Sequence, residues 1–237
     1  MGRVTNWLDH TLYPNDARNW DDSLFRERIL AELPAASVIL DLGAGAGIVT
    51  QMNFRGLGPR VCGIDLDPRV VDNQFLDEGL VSDGASIPYG DEMFDLVFSD
   101  NVLEHLEFPE TVFAEVSRVL KPGGVFLFKT PNKYHYMPLI ASMTPTSFHQ
   151  LVNKWRGRAE VDIFPTQYRA NCVRDIQRLA KVAHFTPQKL ELIEGRPEYL
   201  RFSVPTYIIG AIYQRLVSQF SVLKQFRILL IGTLKKK

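Results

Sequence analysis

Along the chain, short runs of consecutive apolar residues alternate with longer stretches whose apolar residues fall three and four apart, so strands should alternate with helices. After a polar and aromatic opening bent at Pro14-Asn15, Leu24, Ile29, Leu30 and Leu33 mark a helix from Ser23 to Leu33. Asp21 or Asp22 would cap it and Pro34 would stop it. Val38–Leu42 reads as the first strand, followed by a glycine-rich loop and a helix beginning near Ile48. Val61–Asp65 is the second strand, and Leu66-Asp67-Pro68 opens a helix, since an acid and a proline both suit a helix N-terminus. A short strand near Gly79–Asp83 and a strongly apolar one at Phe94–Ser99 come next. Val112, Phe113, Val116, Val119 and Leu120 give a helical stripe over Pro109–Leu120. Lys121-Pro-Gly-Gly124 is a turn, and Val125–Lys129 the next strand. Periodicity weakens from Thr130 to Val173, where aromatics and histidines gather. It returns in a helix over Cys172–Ala183, a strand around Lys189–Glu194, a helix over Thr206–Phe220 and a terminal strand over Phe226–Leu234.

Strands and helices alternating at this interval need crossover connections, which implies an α/β fold with a mainly parallel sheet covered on both faces. Ligands of such sheets bind beyond the carboxyl ends of the strands. The polar residues in those loops therefore carry the functional information.

Composition narrows the partners. The 237 residues suit one domain, and 27 basic side chains balance 27 acidic ones, so global charge does not recommend nucleic acid. Cys62 and Cys172 lie far apart without ligand spacing, which suggests neither a zinc site nor a disulfide framework. The N-terminus lacks the apolar core of a secretory signal, and no apolar run reaches the roughly 18 residues of a bilayer span, so a cytoplasmic protein is expected. The stretch from Val204 to Ile231 is apolar but interrupted by Arg215, Lys224 and Arg227. It suits either peripheral contact with a membrane or burial in the core.

Val38-Ile-Leu-Asp-Leu-Gly-Ala-Gly-Ala-Gly47 is the densest chemical signal: an apolar strand ending in an acid and three glycines. Gly43, Gly45 and Gly47 permit backbone angles closed to other residues and let the main chain approach a ligand. A dinucleotide fingerprint would place its third glycine at the sixth position, where Ile48 stands. That spacing weighs against a nicotinamide cofactor.

Several motifs recur in a fixed order. They are Asp41-Leu-Gly-Ala-Gly-Ala-Gly47, Gly63-Ile-Asp65, Ser82-Asp-Gly-Ala-Ser-Ile-Pro-Tyr89, Phe94-Asp-Leu-Val-Phe-Ser-Asp-Asn-Val-Leu-Glu-His-Leu106 and Leu120-Lys-Pro-Gly-Gly124. In this order the chain resembles the class I S-adenosylmethionine-dependent methyltransferases, over about Val38 to Asn132. The resemblance implies a Rossmann-like, seven-stranded sheet of order 3-2-1-4-5-7-6, with a cap region at 1–34 and an acceptor-side insert or lid at 130–170. It implies S-adenosylmethionine as donor and S-adenosylhomocysteine as product. Asp41 would face the donor's ammonium, and the amides of Gly43, Ala44, Gly45 and Gly47 its methionine moiety. Asp65, with Leu66 beside it, would take the ribose hydroxyls; Asp83, Gly84 and Ala85 would contact adenine. Asp100, Asn101 and His105 would line the cofactor beyond the fourth strand.

A sulfonium is already an activated methyl donor, so the protein must chiefly align the acceptor and exclude water. A hydroxyl acceptor profits from a base, for which His135 and His149 are candidates. Tyr134, Tyr136, Tyr168 and Arg169 would line the acceptor pocket. Asp100-Asn101-Val102-Leu103 lacks the Asn-Pro-Pro-Tyr type of sequence found in many DNA and protein amide methylases, which favours a small organic acceptor, methylated on oxygen or nitrogen. Two alternatives stay open: a non-catalytic S-adenosylmethionine-binding or scaffold protein, and an aminopropyltransferase-like enzyme, for which suitably clustered acids are not evident.

Overall fold

A computed structural model describes residues 3–14, 19–34, 37–143, 165–201 and 203–237. Seven strands, Val38–Leu42 (β1), Arg60–Asp65 (β2), Glu78–Val81 (β3), Phe94–Asp100 (β4), Leu120–Pro131 (β5), Phe185–Ile193 (β6) and Leu229–Lys236 (β7), form one sheet of order β3-β2-β1-β4-β5-β7-β6. The first five pair in parallel. β7 runs against β5: a Cβ on Gly232 would meet Phe128 at 2.1 Å, while Lys236, four residues further on, reaches back to the Leu120 carbonyl at 2.7 Å. The expected strand order is therefore the one observed.

Among the described residues the helices are Arg3–Leu12 (α1), Trp20–Glu32 (α2), Pro109–Val119 (α3), Tyr136–Met143 (α4), Val173–Val182 (α5) and Val204–Gln219 (α6). Two expected helices are absent. After the glycine loop there is only a 3₁₀ turn at Thr50–Met52, and after β2 another at Pro68–Asp72. Ile48, Val49 and Thr50 are β-branched in succession and disfavour a helix, and Gly56 and Gly58, both at positive φ, end the segment before one can grow. Arg26 of α2 holds this stretch, donating to the Asn53 carbonyl at 2.8 Å and lying over the Phe54 ring. The cap of α2 also differs from expectation: Asn19 takes that position with φ 64°, and Asp21 and Asp22 fall in the first turn. Lys121–Gly124, expected as a turn, bulges out within β5, where the pairing jumps from Phe94↔Leu120 to Leu96↔Val125.

Contacts divide the chain into two compact units, one of 1–18, 131–166 and 192–229 and one of 19–130, 167–191 and 230–237. The second contains most of the sheet. Its core is aromatic: Phe126 sits 5.5 Å from Phe113, 5.6 Å from Phe128 and 6.1 Å from Phe185, centroid to centroid, and all four are buried. Burial of each such ring contributes on the order of 2 kcal/mol or more.

The described residues of the first unit are largely helical and are tied together by charge. Asp9 of α1 accepts from the Tyr207 hydroxyl of α6 at 2.8 Å and pairs with Arg201, and Arg196 stands 3.7 Å away. Glu198 shares both guanidiniums. Removing Asp9, which is 8% exposed, strands a buried hydroxyl and weakens two buried cations. Asp9→Ala should therefore cost about 2 kcal/mol or more in chemical denaturation, and a loss under about 0.5 kcal/mol would contradict the arrangement. Among the described residues, no helix is long and apolar enough to cross a membrane.

Candidate functional site

The carboxyl ends of β3, β2, β1 and β4 bring four sequence motifs to one edge of the sheet. Gly43 follows β1 with φ +86°, and a Cβ there would lie 2.2 Å from Cγ2 of Val102, so the glycine lets the loop after β1 pass against the loop after β4. Gly47, at φ +70°, has a different reason. A Cβ there would meet the Asn73 amide oxygen at 2.3 Å. Asn73 donates to the carbonyls of Ala44 and Gly45 at 3.1 and 3.2 Å, and its own oxygen accepts from the Phe75 amide at 2.9 Å. This buried side chain clamps the glycine loop from the connection after β2, where sequence reasoning saw only a helix.

The loop amides do not all face outward as expected. Gly43 and Ala44 donate to the Ile64 carbonyl at 2.8 and 3.1 Å, and Gly45 donates to Oδ2 of Asp65 at 2.8 Å. Their donors are spent on β2. Asp65 thereby gains a structural role in addition to the expected one, because its Oδ1 accepts from the Asp67 amide at 2.8 Å. Each carboxylate oxygen has a second lone pair left for a ligand hydroxyl. Leu66 beside it is largely exposed, and Asp83 folds its own turn by accepting from Ala85 at 3.0 Å, with Gly84 packed near Leu42.

Carboxylates concentrate here. Asp41 is buried on β1 between Gly63 and Phe98. Burial first, then the charges of Asp100 and Asp65, raise its carboxyl well above the ordinary range. Asp100, at the end of β4, is pushed up to about 6, because burial outweighs the attraction of Lys129 while Asp22 and Asp21 add repulsion. Lys129 itself is fully buried near the end of β5 and holds Asp100 at 2.9 Å, Asp21 at 3.0 Å and Asp22 closer still. Burial draws its ammonium down most, but the three carboxylates together override this and raise it, so it stays charged. Three acids around one base leave an excess of negative charge in a site of low dielectric.

Asn101, at φ 55°, donates its side-chain amide to Asp100 at 2.9 Å and its backbone amide to the Lys129 carbonyl at 2.8 Å. The turn that follows is pinned through Glu104. Its carboxylate accepts from Thr130 at 3.0 Å, Thr130 accepts from Asn171 at 2.6 Å, and its carbonyl accepts from the Gln167 and Tyr168 amides at 2.6 and 3.1 Å. His105 lies on this turn, partly exposed, and Arg169 donates to the Glu107 carbonyl at 2.8 Å. The structure thus gathers Asp41, the glycine loop, Asp65, Asp100, Asn101, His105, Tyr168 and Arg169 within one unit.

The remaining candidates fare differently. Tyr134, His135 and Tyr136 belong to the helical unit. Tyr134 is exposed, whereas His135 is sealed, stacked at 4.0 Å on Tyr136 and 5.6 Å from Tyr213, with Nδ1 accepting from the Met137 amide at 3.3 Å. Burial pushes its imidazole down to about 3, and a group that holds a proton so poorly is unsuited to general-base work. The position of His135, buried among Tyr136 and Tyr213, gives no support to its assignment as a base. His149 lies outside the described residues. Lys129, Asp21, Asp22 and Asn73 were missed. The one available signal was a lysine closing the otherwise apolar run Val125-Phe-Leu-Phe128.

Similarity to known proteins follows the same region. A model of the methyltransferase domain matches residues 40–128. The ubiquinone biosynthesis O-methyltransferase of Nitrosococcus oceani is 37% identical over 108 residues, 42% of this chain and 45% of that protein. The malonyl-[acyl-carrier protein] O-methyltransferase of Serratia marcescens is 31% identical over 143 residues, 56% of this chain and 51% of that protein. The chain thus spans about half the length of the curated relatives it matches. Among solved structures, the geranyl diphosphate C-methyltransferase of Streptomyces coelicolor A3(2) superimposes with a TM-score of 0.58 at 14% identity, covering 95% of this chain and 87% of that one. The [4+2]-cyclase SpnF gives 0.59 at 16% identity, covering 99% and 95%. At such identities the likeness is one of fold. The domain model is seated on the loops that carry Asp41, Asp65 and Asp100, and with the sheet in the order 3-2-1-4-5-7-6 the chain is similar to the class I S-adenosylmethionine-dependent methyltransferases over residues 40–128.

Proposed function

We propose that this protein transfers a methyl group from S-adenosylmethionine to an oxygen or nitrogen of a small-molecule acceptor. The observation that carries the reading is the excess of buried carboxylate at the ends of β1 and β4, beside the acid that ends β2. S-adenosylmethionine supplies an electrophilic methyl on a cationic sulfur, and it also carries an ammonium and a ribose diol. Asp41 and Asp100 suit the ammonium, and the unspent lone pairs of Asp65 suit the diol. Leu66 offers an apolar face next to them, and the Asp83–Ala85 turn offers polar groups for adenine. Asn101 holds the strand end in the left-handed conformation that presents its loop toward the same edge.

For the acceptor, Tyr168 and Arg169 are the candidates supported by position, since both flank the Glu104–Glu107 turn. Tyr134 and Tyr136 keep an acceptor role from the sequence reading alone. The two relatives named above are O-methyltransferases, which favours oxygen. A carboxylate oxygen needs no base, and this accords with the sealing of His135.

Titration calorimetry with S-adenosylhomocysteine tests the reading first, followed by transfer of labelled methyl to a panel of hydroxy and carboxylic acids. Saturable binding is expected, and its absence would end the proposal. The affinity should also depend on pH with a definite sign. Asp100 protonates near 6 in the free protein, so at pH 5 binding an ammonium must expel a proton that is already absent at pH 7. Affinity should rise between pH 5 and 7 by up to about tenfold. A flat or falling profile would remove Asp100 from the donor site.

A further inference from the structure

Helix α6 buries one face and leaves the opposite one apolar. Tyr207, Gly210, Ala211 and Val217 are buried, whereas Ile208, Ile209, Ile212, Leu216 and Phe220, at the end of the helix, are exposed. Successive residues of a helix turn by 100°, so these five form a continuous stripe about three turns long. Ile209 is 62% and Ile212 53% exposed, and Val222 in the following turn is 76% exposed. A row of this kind is unusual on a solvated helix, where single exposed apolar residues are normal and aligned ones mark a contact surface.

Charge selects the partner. From Tyr199 to the C-terminus the chain has no acidic residue but seven basic ones, Arg201, Arg215, Lys224, Arg227 and Lys235–Lys237. Arg201 and Arg227 are engaged within the helical unit. Arg215 lies on the stripe and Lys224 just beyond it, both exposed. An apolar row on a stretch of chain that carries only positive charge fits an anionic lipid surface, into which the aliphatic side chains sink while the cations meet headgroup phosphates. A protein partner buried against this row would instead have to supply every counter-charge itself.

We propose that the exposed face of α6 docks the protein on anionic membrane surface, with Ile208, Ile209, Ile212, Leu216 and Phe220 as the inserting row and Arg215 and Lys224 as its electrostatic flank. The helix lies in the plane of the interface, since its 16 residues are too few to span a bilayer. This inference stands apart from the proposed methyl transfer.

Co-sedimentation of the full chain with vesicles of phosphatidylcholine alone, or mixed with phosphatidylglycerol, tests it. Binding to the anionic vesicles is expected to exceed binding to the neutral ones by about tenfold or more and to weaken as salt is raised. Ile209→Gln with Ile212→Gln should abolish it, and Arg215→Gln with Lys224→Gln should bring the anionic preference close to the neutral level. Circular dichroism and S-adenosylhomocysteine binding should be unchanged in both variants. If the double glutamine variant fails to fold, the comparison of the two vesicle types on the parent chain decides. Absence of binding to anionic vesicles, or binding indifferent to charge, overturns the proposal. So does a parent dimer in light scattering that the isoleucine changes dissolve, which would make the row an interface between copies.

Discussion

Lys129→Met should destabilise the protein by about 3–5 kcal/mol in urea at pH 7, the range for stranding a buried charge by removing its partner. The lysine is fully buried, and Asp100, Asp21 and Asp22 all depend on it. Methionine nearly preserves its volume, so the loss reports charge rather than a cavity. Without the ammonium, the Asp100 carboxyl takes up a proton more readily, and the deficit relative to the parent should shrink as pH falls from 7 to 5. Lys129→Arg restores the charge but not the compact geometry, and should recover part of the loss. A deficit under about 1 kcal/mol, or one independent of pH, would show that water already compensates these acids.

Asp65→Ala should lower affinity for S-adenosylhomocysteine by about a hundredfold or more. Two hydrogen bonds from ribose hydroxyls to a carboxylate contribute on the order of 1.5–3 kcal/mol each. The same change removes the acceptors of the Gly45 and Asp67 amides, so some of the loss arises in the loop itself. Asp65→Asn is the milder change: its amide keeps one accepting oxygen for the Gly45 and Asp67 amides and turns an NH2 toward the other, so that variant should lose less thermal stability than the alanine variant yet lose most of the affinity. Affinity within about threefold of the parent in the alanine variant would remove Asp65 from the donor site.

The parallel strands were legible because buried strands write themselves as short apolar runs, and Val38–Leu42 and Phe94–Ser99 do so with only Asp41 and Asp95 breaking the runs before their ends. Their ends were less so. β6 begins at Phe185, four residues before the expected start, and Thr186, Gln188 and Lys189 are exposed polar positions, with Pro187 between them exposed too, so the segment carries no apolar rhythm. No helix follows Gly47, because three β-branched residues in a row disfavour one and only a 3₁₀ turn forms at Thr50–Met52. Asp41, Asp65 and Asp100 could be named from sequence because each ends or nearly ends a strand. Lys129 could not, since its partners lie more than a hundred residues away in Asp21 and Asp22, and a lysine at a strand end ordinarily reaches water. Nor could Asn73, whose role depends on a fold in space.

Asn73 shapes the sheet edge at the glycine loop. Where a helix after β1 would hold the glycine loop through its own backbone ladder, here one amide side chain and one carboxylate, Asn73 and Asp65, bind it laterally to the neighbouring connection. The two segments are thereby geared together. Any ligand drawing on Asp65 would also load the Gly45 bond that shapes residues 43–47, so the carboxylate and the loop respond together.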